Sequence, residues 1–138
     1  MKKVALDSMI FIYHFEQTPV FFGQVGKILS SAKEGKFKLI TSIVSVVEAL
    51  SAPRYSQLSE VVSGIKTFFQ EAEFLEVIDL GEQIAFETAR LRRENKSLRT
   101  PDAIQLATAI IGGADVFITN DRKLRNLKFG SMKVQMIC

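Results

Sequence analysis

The chain has 138 residues, 47% apolar and 24% charged, with a net charge of +3; this is the size and composition of one globular domain and excludes a disordered or fibrous chain. One cysteine, Cys138, and one histidine, His14, exclude a disulfide scaffold, a cysteine-rich zinc site and the usual histidine-ligated metal centres, and they argue against a Ser-His-Asp triad. No run approaches the roughly 18–20 continuous apolar residues of a membrane span, and Asp7 interrupts the apolar stretch after Met1-Lys2-Lys3 too early for a secretory signal, so a cytoplasmic location is expected.

Lys3 to Asp7 reads as a short buried strand ending in a carboxylate, and residues 8–15 as a helix. Thr18-Pro19 predicts an N-cap with proline at the first helical position, followed by a helix to Gly35 with Val20, Val25, Ile28 and Leu29 at helical spacing. Lys36 to Ile40 alternates as a second strand ending in Thr41-Ser42, and Ile43 to Leu50 forms a short helix broken by Pro53. Ser56 to about Glu71 predicts a helix with Leu58, Val61, Val62, Ile65, Phe68 and Phe69 on one face. Phe74 to Ile78 is a strand, and Ile84, Ala85, Thr88 and Leu91 mark a helix from about 81 to 95. A helix starts at Thr100-Pro101 and ends at Gly112-Gly113; its apolar stretch, Ala103 to Ile111, is expected to be buried. Val116 to Thr119 and Lys133 to Met136 are the last strands. Strands alternating with helices, without repeat or linker, predict a single domain over 1–138: a three-layer α/β sandwich with a mainly parallel sheet of about five strands flanked by helices.

Charge is unevenly distributed. Residues 1–87 hold 8 Lys/Arg and 11 Asp/Glu, a balance of −3, whereas residues 88–138 hold 10 and 4, a balance of +6. Such asymmetry suggests an anionic partner, nucleic acid first. Arg92, Arg93, Arg99, Arg122 and Lys123 are the candidates to hold a phosphate backbone.

In open α/β sheets, ligands bind outside the carboxyl ends of the strands. Asp7 ends the first strand, Asp121 follows the fourth, Asp102 sits in the first turn of the buried helix, and Glu48 lies on the short helix after the second strand. Each also has a local explanation. Asp7 and Asp121 could cap the next helix, Asp102 could complement a helix dipole, and Glu48 could close a capping box with Ser45. Yet acids at the edge of an apolar core are costly unless paired or metal-bound. If all four converge, their repulsion demands a cation, and oxygen ligands without His or Cys point to Mg²⁺ or Mn²⁺. A carboxylate-held divalent ion flanked by basic residues suits phosphodiester hydrolysis.

Val4-Ala5-Leu6-Asp7-Ser8 followed by Ile10-Phe11-Ile12-Tyr13, Thr41-Ser42 followed by Val46-Val47-Glu48, Thr100 to Ala109, and Ile118-Thr119-Asn120-Asp121 together resemble, end to end, the PIN-domain ribonuclease family. Within it they are similar to the VapC-like toxins of bacterial and archaeal toxin–antitoxin pairs. The resemblance implies a Mg²⁺-dependent endoribonuclease, with Mn²⁺ as a possible substitute, acting on single-stranded RNA in a site of Asp7, Glu48, Asp102 and Asp121. It implies Asp7 and Asp102 as direct metal ligands, and Asp121 as a third metal-site residue that, like Glu48, acts through water or orients the nucleophile. Ser8, Thr119 and Asn120 support the site. A homodimer and a small antitoxin are the implied protein partners. Met9 departs from the family's pattern, in which a polar residue often follows the Asp-Ser/Thr pair.

Other readings fit less well. A haloacid-dehalogenase-type phosphatase needs a second Asp where this chain has Met9, and a phosphoacceptor receiver needs an acidic pair where Ala5 and Leu6 precede Asp7. A non-catalytic module gripping RNA or protein on the same fold is the remaining alternative, although four repelling charges would give a pure RNA binder nothing. His14 reads as a partly buried or surface helix residue and Cys138 as a free thiol. Among the 11 phenylalanines, the adjacent pairs Phe21-Phe22 and Phe68-Phe69 exceed what one small core readily absorbs and suggest a protein interface.

Overall fold

Along β1 (Lys3–Leu6), Val4 and Leu6 enter one apolar cluster while Ala5 enters another on the opposite face of the sheet. The same alternation separates Leu39 from Ile40 in β2 (Lys38–Ser42), and Val116 and Ile118 from Phe117 in β4 (Val116–Thr119). β3 (Leu75–Ile78) and β5 (Lys133–Met136) complete a five-stranded sheet of order β3-β2-β1-β4-β5 in the computed structural model, which describes residues 2–137. Every pairing is parallel, with Val4 opposite Leu39 on one side and Leu6 opposite Ile118 on the other. A sheet buried on both faces explains why its central strands are apolar at successive positions.

The first face is covered by α1 (Ser8–Phe15), α2 (Phe22–Lys33), α3 (Ile43–Leu50) and α4 (Ser59–Glu71). The second is covered by α5 (Glu82–Glu94) and α6 (Thr100–Ile111). The expected three-layer sandwich is therefore present. As expected from its composition, α6 is buried continuously from Ala103 to Ala109, while Ile111 emerges at the surface. It packs so closely that a Cβ on Gly112 would stand 2.8 Å from Ile40 Cδ1 and 2.8 Å from the Thr108 carbonyl oxygen.

Two helix starts differ from expectation. Thr18-Pro19 opens a turn, in which the Phe21 N–H reaches the Thr18 carbonyl, and α2 begins only at Phe22. Proline at the second position of a β-turn suits this geometry as well as it suits a first helical residue, and Val20 is left 76% exposed. Likewise, Pro53 starts a 3₁₀ turn over Pro53–Gln57, and α4 follows at Ser59. Ile65 and Phe69 are then its buried residues, and Leu58 and Val61 face outward.

Phe68 and Phe69 both enter an aromatic cluster with Phe11 and Phe15, with ring centroids 5.2–6.2 Å apart, so core packing absorbs this pair. Phe21 stacks on Tyr13, and Phe22 and Phe86 remain exposed. Among the described residues no helix is long and apolar enough to cross a membrane. Cys138 lies outside the described residues.

Candidate active site

The chain leaves β1 toward β2 on one side and returns to β4 on the other, so the strand order switches direction at β1 and β4. The carboxyl ends of strands at such a switch point frame a crevice. Asp7 stands at the end of β1 as the N-cap of α1, and Oδ1 accepts the Ser8 N–H at 2.7 Å. Asp121 follows β4 and accepts the Lys123 N–H at 3.0 Å at the start of a short 3₁₀ turn. Both acids therefore cap local structure, and both also line one cleft of about 290 Å³ with Glu48 of α3 and Asp102 of α6. Ser8, Met9, Ile12, Arg99, Asn120 and Lys123 complete its wall.

Hydrogen bonds fix each acid. Asp7 Oδ2 accepts from Thr119 Oγ1 at 2.7 Å, and the same Thr119 oxygen accepts the Asp121 N–H at 3.0 Å. Ser8 donates its hydroxyl to Glu48 Oε1 in a short hydrogen bond. Arg99 Nε donates to Asp102 Oδ2 at 3.2 Å. Asn120 donates to the Tyr13 hydroxyl at 2.7 Å, which joins the loop after β4 to α1.

Burial pushes Asp7 up to about 6. The hydrogen bonds from Thr119 and the Ser8 amide pull it down, whereas the charges of Asp102 and Glu48 raise it further. Buried carboxylates with raised affinity for a proton, facing other carboxylates, cluster at functional sites.

Behind the cleft lies a buried chain of hydroxyls and an amide. Thr41 donates to the Leu6 carbonyl at 2.8 Å, so its oxygen serves Ser45, 2.7 Å away, as an acceptor; Ser45 in turn accepts from Gln105 Nε2 at 3.0 Å. All three side chains are at most 2% exposed. Ser45 is thus engaged with β2 and α6 and forms no capping box with Glu48; Ser42 caps α3 instead. This network ties β1 beside Asp7, α3 one turn before Glu48, and α6 one turn after Asp102. Sequence reasoning missed it, although two polar residues inside otherwise apolar helices were a visible signal.

Among the basic candidates, Arg99 and Lys123 line the cleft, whereas Arg92, Arg93 and Arg122 are exposed outside it. Arg92 reaches the Leu98 carbonyl and steadies the loop between α5 and α6. His14 sits against Phe15, Phe22 and Phe68, away from the cleft, with its basicity lowered by burial and then by Lys33. His14 is thus a partly buried residue of α1, one of the two positions expected of it.

The four acids offer only hard oxygen donors and line one cleft, so in kind they fit a Mg²⁺- or Mn²⁺-class ion. Such an ion would also offset the desolvation of Asp7. Among the described residues, however, no group of three His, Cys, Asp or Glu is gathered tightly enough to hold a metal as it stands, and Ser8, Thr119 and Arg99 engage the acids.

A family model described as PIN domain matches residues 4–130. No curated protein matches the chain. Several solved structures share the fold. VapBC2 from Rickettsia felis, bound to a promoter DNA fragment, superposes with a TM-score of 0.68 at 18% identity over 97% of this chain and 98% of that one. A toxin–antitoxin complex from Klebsiella pneumoniae gives 0.61 at 22% identity over 94% and 98%. VapC20 from Mycobacterium tuberculosis, described as a sarcin–ricin-loop-cleaving toxin, gives 0.70 at 11% identity over 94% and 98%.

Proposed function

Because the chain belongs to the PIN-domain family, we propose that it is a Mg²⁺-dependent endoribonuclease cleaving single-stranded regions of RNA, and the toxin of a toxin–antitoxin pair. The observation carrying this reading is the cleft itself, in which acids from four separate segments of the chain meet two cations at the carboxyl end of a parallel sheet. Asp7, Asp102 and Asp121 would hold the cation, which when bound supplies an activated water and stabilises charge on the leaving oxygen. Glu48, steadied by Ser8, orients the attacking water. Thr119 and Asn120 hold Asp7 and the loop after β4 in place. Arg99 and Lys123 grip the phosphate backbone. Met9 and Ile12 form an apolar wall that favours unpaired bases over solvent.

The toxin reading is supported by neighbours described as a toxin–antitoxin complex and as an RNA-cleaving toxin. A small antitoxin and a second copy of the chain are the proposed protein partners, for which the exposed Phe86 and Leu80 supply apolar surface. The test is cleavage of a folded RNA pool with Mg²⁺, Mn²⁺ or EDTA, beside Asp7→Asn. Metal-dependent cleavage lost in the variant supports the reading. RNA binding that survives Asp7→Asn and Asp102→Asn, without cleavage under any metal, would instead favour the non-catalytic module, and turnover of a small phosphate ester with none of RNA the phosphatase.

A further inference from the structure

Arg99 occupies an unusual place for a cation. It stands at the cap position of α6, makes no capping hydrogen bond, and faces the positive end of that helix's dipole. Among the described residues its guanidinium is held there by Asp102 alone, at 3.2 Å, with the arginine side chain 71% exposed and the aspartate 17%. Asp102 first, and then Glu48 and Asp121, raise its basicity, so its charge sits within the field of three of the four acids. Lys123, the other cation lining the cleft, forms no ion pair among the described residues. The cluster therefore already contains one tethered positive charge, bonded to an oxygen that a divalent ion would need.

We propose that Arg99 is an exchangeable counter-ion: it neutralises Asp102 in the metal-free protein, yields that oxygen when a divalent cation binds, and then turns to a phosphate of the substrate. The inference rests on the reading of the cleft as a metal-dependent nuclease site. Two forces drive the exchange. A doubly charged ion at the acids repels the guanidinium, and the positive end of the α6 dipole disfavours a cation that stays at the cap position. The RNA backbone supplies one, because guanidinium and phosphate pair with matched geometry. Metal and RNA binding become coupled through one side chain, and such coupling is reciprocal. Because the ion pair is exposed, exchange is cheap.

Isothermal titration with Mn²⁺ on the wild type, Arg99→Gln and Lys123→Gln tests the exchange without reference to turnover. Arg99→Gln is expected to bind Mn²⁺ about three- to five-fold more tightly, the size of an exposed ion pair, whereas Lys123→Gln changes affinity less than about twofold. Equal gains in both variants, or no gain in Arg99→Gln, would overturn the proposal, because the first is general charge repulsion and the second means no competition. A wild type that binds no Mn²⁺ would instead remove the metal-dependent reading beneath it. At saturating Mg²⁺, Arg99→Gln should raise the KM for RNA more than it lowers kcat and reduce the slope of log KM against log salt by about 0.7, one lost single-strand phosphate contact. An unchanged slope would overturn the transfer to phosphate.

Discussion

Thr119 donates its hydroxyl proton to Asp7 Oδ2 at 2.7 Å, a bond between residues 112 positions apart that is wholly buried. The Thr119 hydroxyl oxygen in turn accepts the Asp121 N–H, so one side chain joins the ends of β1 and β4 and positions two acids. Thr119→Val keeps the shape and removes both bonds. With Asp7 ionised, at pH 8 in EDTA, the variant should lose about 1.5–3 kcal/mol, the range for a hydrogen bond to a charged group. Thr119→Ser should lose clearly less. Equal losses by denaturant unfolding would mean that packing of the methyl, and not the hydroxyl, is what matters.

Asp7 predicts a pH dependence of stability in the metal-free protein. Its folded-state pKa of about 6 lies above the ordinary 3.8. Below 3.8 it is protonated folded or unfolded, and above 6 it is ionised in both. Between these limits the folded state holds the extra proton, so stability falls as pH rises through the window, by up to about 3 kcal/mol. Asp7→Asn cannot titrate. Urea unfolding in EDTA should therefore show the gap between variant and wild type moving in the variant's favour by up to that amount from pH 4 to pH 7.5. A constant gap would show that Asp7 titrates near its ordinary value.

The Gln105–Ser45–Thr41 chain should behave as one unit. Ser45→Ala leaves Gln105 and Thr41 each short of a partner in the core, and Gln105→Leu removes one donor. Each should cost about 1–3 kcal/mol. Once one member is gone the other has less to lose, so the double variant should cost less than the sum by at least about 0.5 kcal/mol. Strict additivity of the unfolding free energies would show that the two residues act independently.

These residues also mark how far the sequence was legible. Alternating strands and apolar α6 are local patterns, and they specify the layers directly because a parallel sheet must be covered on both faces. The acids were legible because the topology places strand ends together, so Asp7 and Asp121 could be paired before any contact was known. Thr18-Pro19 was not decisive, since proline at a turn and proline at a helix start have the same φ. Ser45 was read toward Glu48 because three residues on one helix is a local spacing, whereas its actual partners, Thr41 and Gln105, are set by how α3 and α6 meet. The separation of Arg99 from Arg92, Arg93 and Arg122 was likewise invisible, because all are exposed basic residues and only the turn into α6 aims one at the cleft.

Gly112 tests the packing that brings α6 to the sheet. A methyl there would meet Ile40 Cδ1 and the Thr108 carbonyl at 2.8 Å, and the latter is backbone that cannot step aside. Gly112→Ala should therefore cost about 1–3 kcal/mol as overpacking. Gly64, inside α4, has open space where its Cβ would stand, so Gly64→Ala should stabilise the protein by about 0.5–1 kcal/mol through helix propensity. The two substitutions have the same chemistry and opposite expected signs, and thermal unfolding of both decides between them. If Gly112→Ala were neutral, α6 would have room to move from β2, and the position of Asp102 would be less firmly set than the buried contacts require.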